Sequence, residues 1–401
     1  MVISHSVVAV AQDPGGAAAL APFLFVLQDE ACLDLTVYAH RQSRDVFARQ
    51  GVDCVPLDRS LDTAQTEWSE VARGLLATHQ PDLVITGTSF DSGPEQAIIR
   101  VTRQEGVSCL TVLDAWTNYS QRFLLEDEIH LSADVLPDAI AVMDNFAVRE
   151  MLEEGFPEVR LQIVGQPAFD RFLELARSEE IKRDVLRLRR QLGIQPGETL
   201  VVFFSQPITE LYGPPGSPTY RGYDEWDVVW GLSGAISSLA RQDSPMRLVI
   251  RPHPKEPSEK YASFSTGEGS PAVAVETIDV DFLTLTADIV VGMSSIVLVK
   301  AFLTGKPVIS VQPKLVGVDP LILGRAGYLE PVKDLVTLPQ VLRSALCDEV
   351  PSCENRLPAS LTDGQSVSRL RALMLDLLTL GKGSDASVAK ASRGCRENSS
   401  L

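Results

Sequence analysis

The chain has 401 residues, 45% of them hydrophobic and 22% charged, which suits two to three domains at ~150 residues each and excludes a mostly disordered protein. Asp and Glu outnumber Lys and Arg by 53 to 36, for a formal net charge of −17, and this argues against sequence-independent binding of nucleic acid. Six scattered Cys and five separated His form neither a disulfide framework nor a metal-ligand spacing.

The apolar run at 7–11 is too short for a signal core and follows no basic segment. No run approaches the ~20 residues that span a membrane. The expectation is a cytoplasmic protein, with peripheral membrane contact and homo-oligomerisation left open.

Short runs rich in Val, Ile and Leu predict strands at 7–11, 35–39, 83–86, 108–113, 139–143 and 161–164. They show little two-residue alternation, as strands buried on both faces do. Amphipathic stretches at 17–27, 43–50, 63–78, 94–104 and 145–154 predict the helices between them. A charged helix is expected over 169–192, ending at Gly193 before the turn Pro196-Gly197. The rhythm then restarts, with strands at 200–204, 247–251, 273–276, 289–291 and 307–311. Helices are expected at 225–241, 257–264, 279–286, 295–304, 338–346 and 366–380. Residues 212–223 read as a long Gly/Pro/Tyr-rich loop.

This β-α-β rhythm predicts two Rossmann-like, doubly wound α/β domains facing a cleft. The expected division is an N-terminal domain over 1–165 and a second domain over 166–365. A helix at 366–380 is expected to pack back on the first domain, before a disordered tail at 381–401.

The strand ends carry the candidate chemistry. Gln12-Asp13-Pro14-Gly15-Gly16 joins the first strand to a helix, and its glycines let backbone N–H groups approach a ligand. It is not a dinucleotide fingerprint. The loop 86–95 offers Asp91 and Glu95, either as general bases or as complements to a helix dipole. The third strand end holds Asp114, Trp116, Asn118 and Arg122, a lining suited to a sugar or nucleotide, or else core packing. In the second domain Arg251-Pro252-His253-Pro254-Lys255 gathers cations in one turn of an acidic chain, which suits a phosphate partner. Gly292-Met293-Ser294-Ser295 opens a helix, either as an anion site or as an ordinary cap.

The order R-P-H-P, then G-M-S-S, then T-G-K-P-V-I-S resembles the donor half of GT-B glycosyltransferases. Bacterial CMP- and CDP-linked sialyl-, Kdo- and glycerophosphotransferases with His-Pro and Ser-Ser motifs are the nearest in kind. Gly165-Gln166-Pro167 resembles the inter-domain joint of that group and of UDP-GlcNAc 2-epimerases. The turn Phe204-Ser205-Gln206-Pro207 lacks the His-Arg-rich segment of those epimerases, and no carboxylate stands at Val299 or Lys300, where relatives carry one.

The resemblance assigns the acceptor to the domain over 1–165 and the nucleotide donor to that over 166–365. It implies a nucleotide-sugar donor held by Arg251, His253, Lys255, Gly292, Ser294 and Ser295, with Ser205 and Gln206 beside them. It implies a glycan or lipid-linked acceptor near Gly15, Gly16, Asp114, Trp116, Asn118 and Arg122. Asp13 leads Asp91 and Glu95 as catalytic base, because it ends a central strand near the switch point. No metal and no cofactor are expected, since basic groups and helix N-termini neutralise the leaving phosphate. The rival readings are a nucleotide-sugar epimerase and a non-catalytic nucleotide-sugar-binding subunit.

Overall fold

The structure, a computed structural model, describes residues 4–57, 65–125, 128, 130–240, 245–257, 259–265, 273–275, 277–347 and 357–394. The chain divides into two compact units, 1–171 with 358–401, and 172–357. The sequence reading put its joins at 165 and 365. Each unit is α/β around one all-parallel sheet.

The first unit holds strands β1 (His5–Ala11), β2 (Leu33–His40), β3 (Val55–Leu57), β4 (Leu83–Thr86), β5 (Ser108–Val112), β6 (Ala139–Val142) and β7 (Leu161–Ile163). Its helices are α1 (Pro14–Leu27), α2 (Gln42–Gln50), α3 (Gln65–His79), α4 (Pro94–Glu105) and α5 (Asn145–Glu153). The strand order is β3-β2-β1-β4-β5-β6-β7, so the winding reverses between β1 and β4. β3 escaped the sequence reading because it is three residues long and contains Pro56. A proline is tolerated there because β3 is an edge strand.

Helix α6 (Pro167–Arg177) contains the division between the units, and α7 (Glu179–Gln191) follows. The single helix expected over 169–192 is therefore two. Ser178 is extended, at φ −69° and ψ 127°, and its side chain accepts from the Ile181 N–H at 3.4 Å. A capping serine followed by Glu179 and Glu180 starts a new helix.

The second unit continues with β8 (Thr199–Phe204), α8 (Ile208–Tyr212), α9 (Glu225–Ala240), β9 (Met246–Arg251), β10 (Val273–Val275), α10 (Val280–Thr286) and β11 (Ile289–Gly292). It is completed by α11 (Ile296–Leu303), β12 (Val308–Ser310), α12 (Ile322–Arg325) and α13 (Leu338–Cys347). Its order is β10-β9-β8-β11-β12, with the reversal between β8 and β11. The short helices α8 and α12 were not anticipated. The helix expected at 257–264 is instead a run of turns and a 3-10 segment, Ala262–Ser265. Tyr261 leaves the helical pattern there to bond inward.

The last helix, α14 (Ser366–Gly394), belongs to the first unit. Asp170 accepts from the Ser366 N–H at 2.7 Å and its hydroxyl at 2.9 Å, satisfying the helix start. Leu370, Met374, Leu377 and Leu378 join the core formed by Leu20, Leu24 and Phe23 of α1. Helix extends through 381–394, the first part of the stretch expected as a tail. Residues 395–401 lie outside the described residues. Among the described residues no helix is long and apolar enough to cross a membrane.

Candidate functional site

In the first unit the C-terminal ends of β1, β4 and β5 gather most of the predicted residues. Asp13 is the N-cap residue of α1 and is half-buried, with Pro14 fixing the first helical turn. Gly15 is exposed and Gly16 is buried. A Cβ on Gly87 would lie 2.7 Å from Glu95 Oε1 and 3.0 Å from Gly16 Cα, so the turns after β1 and β4 touch only because both residues are glycine. A Cβ on Gly15 would overlap Asp114 Oδ2, which places that carboxylate against the first turn of α1.

Asp114 accepts from Arg122 Nη1 at 2.6 Å and from the Thr88 hydroxyl at 3.0 Å. Arg122 also donates to the Thr88 carbonyl at 2.9 Å and the Thr117 carbonyl at 2.9 Å. It thus ties the β4 and β5 loops together. Gln12 donates its side-chain amide to the Asp91 carbonyl at 2.8 Å, and Gln96 accepts from the Gly93 N–H at 3.0 Å.

The three predicted bases separate by environment. Asp91 is exposed on its loop and Asp13 is half-buried. Glu95 is only 1% exposed, and its Oε1 accepts from the Gln12 N–H at 3.0 Å. Burial, reinforced by the charges of Asp13 and Asp114, pushes its carboxyl up to about 8. Ser89 opposes that rise, yet no contact to Oε2 meets hydrogen-bond geometry. Glu95 therefore carries its proton at neutral pH, is out of reach of solvent, and braces the β1 turn.

Trp116 and Asn118 take other parts than the predicted lining. Trp116 is 3% exposed, donates its indole N–H to both Asp144 oxygens at 3.1 and 3.2 Å, and stacks on Phe169. It is core. Asn118 sits at φ +56°, a turn conformation that Asn tolerates.

In the second unit β8 lies between β9 and β11, so its last residues stand under both predicted motifs. Strand spacing puts the ends of β9 and β11 about 10 Å apart across β8, the width of a phosphate with its partners. The two residues after β8 bond in opposite directions. Gln206 Oε1 accepts from the Ser294 N–H at 2.8 Å, fixing the turn that opens α11. Ser205 Oγ bonds Tyr261 Oη at 2.6 Å and Glu256 Oε1 at 3.1 Å, fixing the turn after β9.

Ser295 caps α11, its hydroxyl accepting from the Val297 N–H at 3.3 Å. Gly292 is closely packed: a Cβ would lie 3.2 Å from Leu298 Cδ2 and 3.4 Å from the Phe204 carbonyl.

His253 Nδ1 accepts from the Lys255 N–H at 3.1 Å. In the neutral ring the proton then sits on Nε2. Burial holds His253 down at about 4, with Lys255 and Arg251 adding to the effect and Glu256 opposing it. The imidazole is thus a neutral hydrogen-bond donor at physiological pH rather than the cation expected. Arg251 is half-buried and donates Nε to the Ile278 carbonyl at 2.8 Å, so it shapes the turn as well as charging it. Lys255 is exposed.

Ser205 is 4% exposed, and its hydroxyl hydrogen is engaged with Tyr261 or Glu256. Two hydroxyl hydrogens serve three short contacts in that triangle, leaving Ser205 no donor for a ligand phosphate.

Glu256 itself was missed. It stands three residues after His253, a spacing that could have flagged it. Among the described residues no group of three or more His, Cys, Asp or Glu side chains could hold a metal ion. A hollow of about 550 Å³ in the first unit, between Ser108, Asp138, Leu373 and Leu377, lies at the N-terminal edge of β5 and β6, remote from these strand ends.

No protein-family model matches the chain, and no curated protein does. Solved structures do. UDP-GlcNAc 2-epimerase from Neisseria meningitidis bound to UDP-GlcNAc superposes with a TM-score of 0.68 at 15% identity, covering 92% of this chain and 100% of that one. The S. aureus MnaA–UDP co-structure gives 0.67 at 16% identity, with 94% and 98% covered. A glycosyltransferase from Rickettsia africae gives 0.58 at 11% identity, again with 94% and 98% covered. At such identities the likeness is one of fold, the GT-B-like pair of α/β units.

Proposed function

We propose that the chain is a nucleotide-sugar enzyme: a GT-B-type glycosyltransferase that moves a sugar, or sugar-like group, from a nucleotide donor to a glycan or lipid-linked acceptor. The observation that carries this reading is the convergence over the end of β8 of the His253 turn and the start of α11. The donor phosphates are assigned to that place. Nε2–H of His253 donates to a phosphate oxygen, Lys255 adds charge, and the first turn of α11 adds backbone N–H groups and its dipole. Stabilising the leaving phosphate this way requires no metal ion.

The acceptor is assigned to the strand ends of the first unit. Asp13 is the base, because it is half-buried at the switch point, where β1 gives way to the first turn of α1. Asp114 and Arg122 shape its surroundings. Glu95 is withdrawn from the role of base to that of a brace.

A second reading is favoured by a specific observation: the structural neighbours include UDP-GlcNAc 2-epimerases with UDP-GlcNAc, or UDP-GlcNAc and UDP, bound. The turn after β8 carries Ser205 and Gln206 without the His-Arg-rich segment of that group, which supports transfer over epimerisation.

The test is a thermal-shift screen against CMP, CDP, UDP, GDP and dTDP, followed by incubation of the matching nucleotide-sugar with and without acceptor. A ligand at 100 times its Kd adds about 2.7 kcal/mol of stability. Turnover that requires an acceptor supports transfer. Interconversion of the nucleotide-sugar alone supports the epimerase, and stabilisation without either reaction supports a binding subunit.

A further inference from the structure

Glu256 makes the densest set of bonds at the second site and has no part in the chemistry above. Its Oε2 accepts from the His253 N–H at 2.8 Å. Its Oε1 accepts from Lys260 Nζ at 2.8 Å and Tyr261 Oη at 2.9 Å, and lies 3.1 Å from Ser205 Oγ. Lys260 is held in turn by Glu225, which also accepts from the Thr209 N–H at 3.1 Å. The Lys260 ammonium lies 5.6 Å from the Trp226 ring centroid. One carboxylate thus joins the turn after β9 to the end of β8 and to the start of α9, all within the second unit.

We propose that Glu256 is the positioning residue of this site, clamping the His253 turn so that the imidazole keeps Nδ1 on the Lys255 N–H and presents Nε2–H to a nucleotide phosphate. The phosphate part of this statement rests on the function proposed above. The clamp on the tautomer does not.

Both oxygens are used as acceptors, so an amide cannot replace the carboxylate. In Glu256→Gln the single oxygen goes either to Lys260, Tyr261 and Ser205 or to the His253 N–H, and an NH₂ faces a donor on the other side. With the oxygen on the Lys260 side, the His253 N–H loses its acceptor and the turn is released. With the oxygen on the His253 N–H, the NH₂ meets the Lys260 ammonium and the turn loses its tie to β8 and α9. The ring is held less firmly in both cases.

The experiment is long-range ¹⁵N–¹H NMR of the full chain, with the His253 ring assigned by its loss in His253→Gln. Wild type should show the Nε2–H tautomer, and the His253 amide should exchange slowly. Glu256→Gln should show a mixture of tautomers or the Nδ1–H form. A wild-type ring protonated on Nδ1 overturns the proposal, as does a fast-exchanging wild-type amide. Both wild-type readings stand even if the variant does not fold. A folded Glu256→Gln that keeps the wild-type tautomer also overturns it.

Calorimetric titration with UDP and CDP forms the second arm. Glu256→Gln should weaken binding of whichever nucleotide binds wild type about tenfold, yet should add little to the loss already caused by His253→Ala. Equal losses in both backgrounds overturn action through His253. Failure of every nucleotide to bind wild type removes the phosphate reading, and the tautomer arm still decides the clamp.

Discussion

Replacing Glu95 by Gln should change how stability depends on pH. The Glu95 carboxyl is pushed from about 4.5 up to about 8 by burial, with Asp13 and Asp114 adding to the rise. The folded chain therefore keeps a proton that the unfolded chain releases above about pH 4.5. Because the unfolded state binds fewer protons, stability falls as pH rises through this window, by about 1.4 kcal/mol per unit, and levels off above about pH 8. Between pH 5 and 7.5 wild type should lose about 3 kcal/mol relative to a variant that does not titrate there. Gln is a fair replacement, since its oxygen can accept from the Gln12 N–H and its NH₂ would face the Ser89 hydroxyl. The assay is urea unfolding from pH 5 to 8.5 of both proteins in a Trp226→Phe, Trp230→Phe background, so that the emission comes from Trp68 and Trp116, both buried in the first unit. The stability difference should swing toward the variant as pH rises. A difference that stays constant over the whole range would show that Glu95 is ionised in the folded protein, and the bracing role would fall.

Three further outcomes follow from the same geometry. Asp13→Asn should lower turnover by ~10²-fold or more, as loss of a general base does, while nucleotide affinity measured by calorimetry stays near wild type; near-normal turnover would pass the role to Asp91. Gly87→Ala forces a Cβ to 3.0 Å from the Gly16 backbone, so denaturant melts should show about 1–3 kcal/mol of lost stability, and an unchanged midpoint would contradict the close approach of the two turns. Activity should survive EDTA, and a loss restored by Mg²⁺ or Mn²⁺ would require a metal at the donor phosphates.

The parallel sheets were legible because strands buried on both faces read as unbroken apolar runs, as Val8-Ala9-Val10 and Leu200-Val201-Val202 do. The strand ends were legible because turns there need Gly, Pro and capping residues, seen in Asp13-Pro14-Gly15-Gly16 and Gly292-Met293-Ser294-Ser295. What lay hidden depends on partners distant in sequence. Ser205 looks like a ligand for phosphate until its hydroxyl meets Glu256 and Tyr261, 51 and 56 residues away. Trp116 looks like pocket lining until Asp144 takes its indole N–H. Glu95 looks like an exposed acid in a first helical turn until the Gly16–Gly87 contact closes over it. Local signals misled at Ser178, where a helical charge pattern ran straight through a capping residue.

The most direct test of the account is a crystal structure with a bound nucleoside diphosphate, taken from whichever of UDP, CDP, GDP or dTDP stabilises the chain. The phosphates should lie over the end of β8, with an oxygen within hydrogen-bond reach of His253 Nε2 and another at the first turn of α11. His253→Ala should then lower kcat/KM by the equivalent of roughly 2–4 kcal/mol. Phosphates found more than ~6 Å from both motifs, beyond water-bridged reach, would contradict the assignment of the second unit as the donor site.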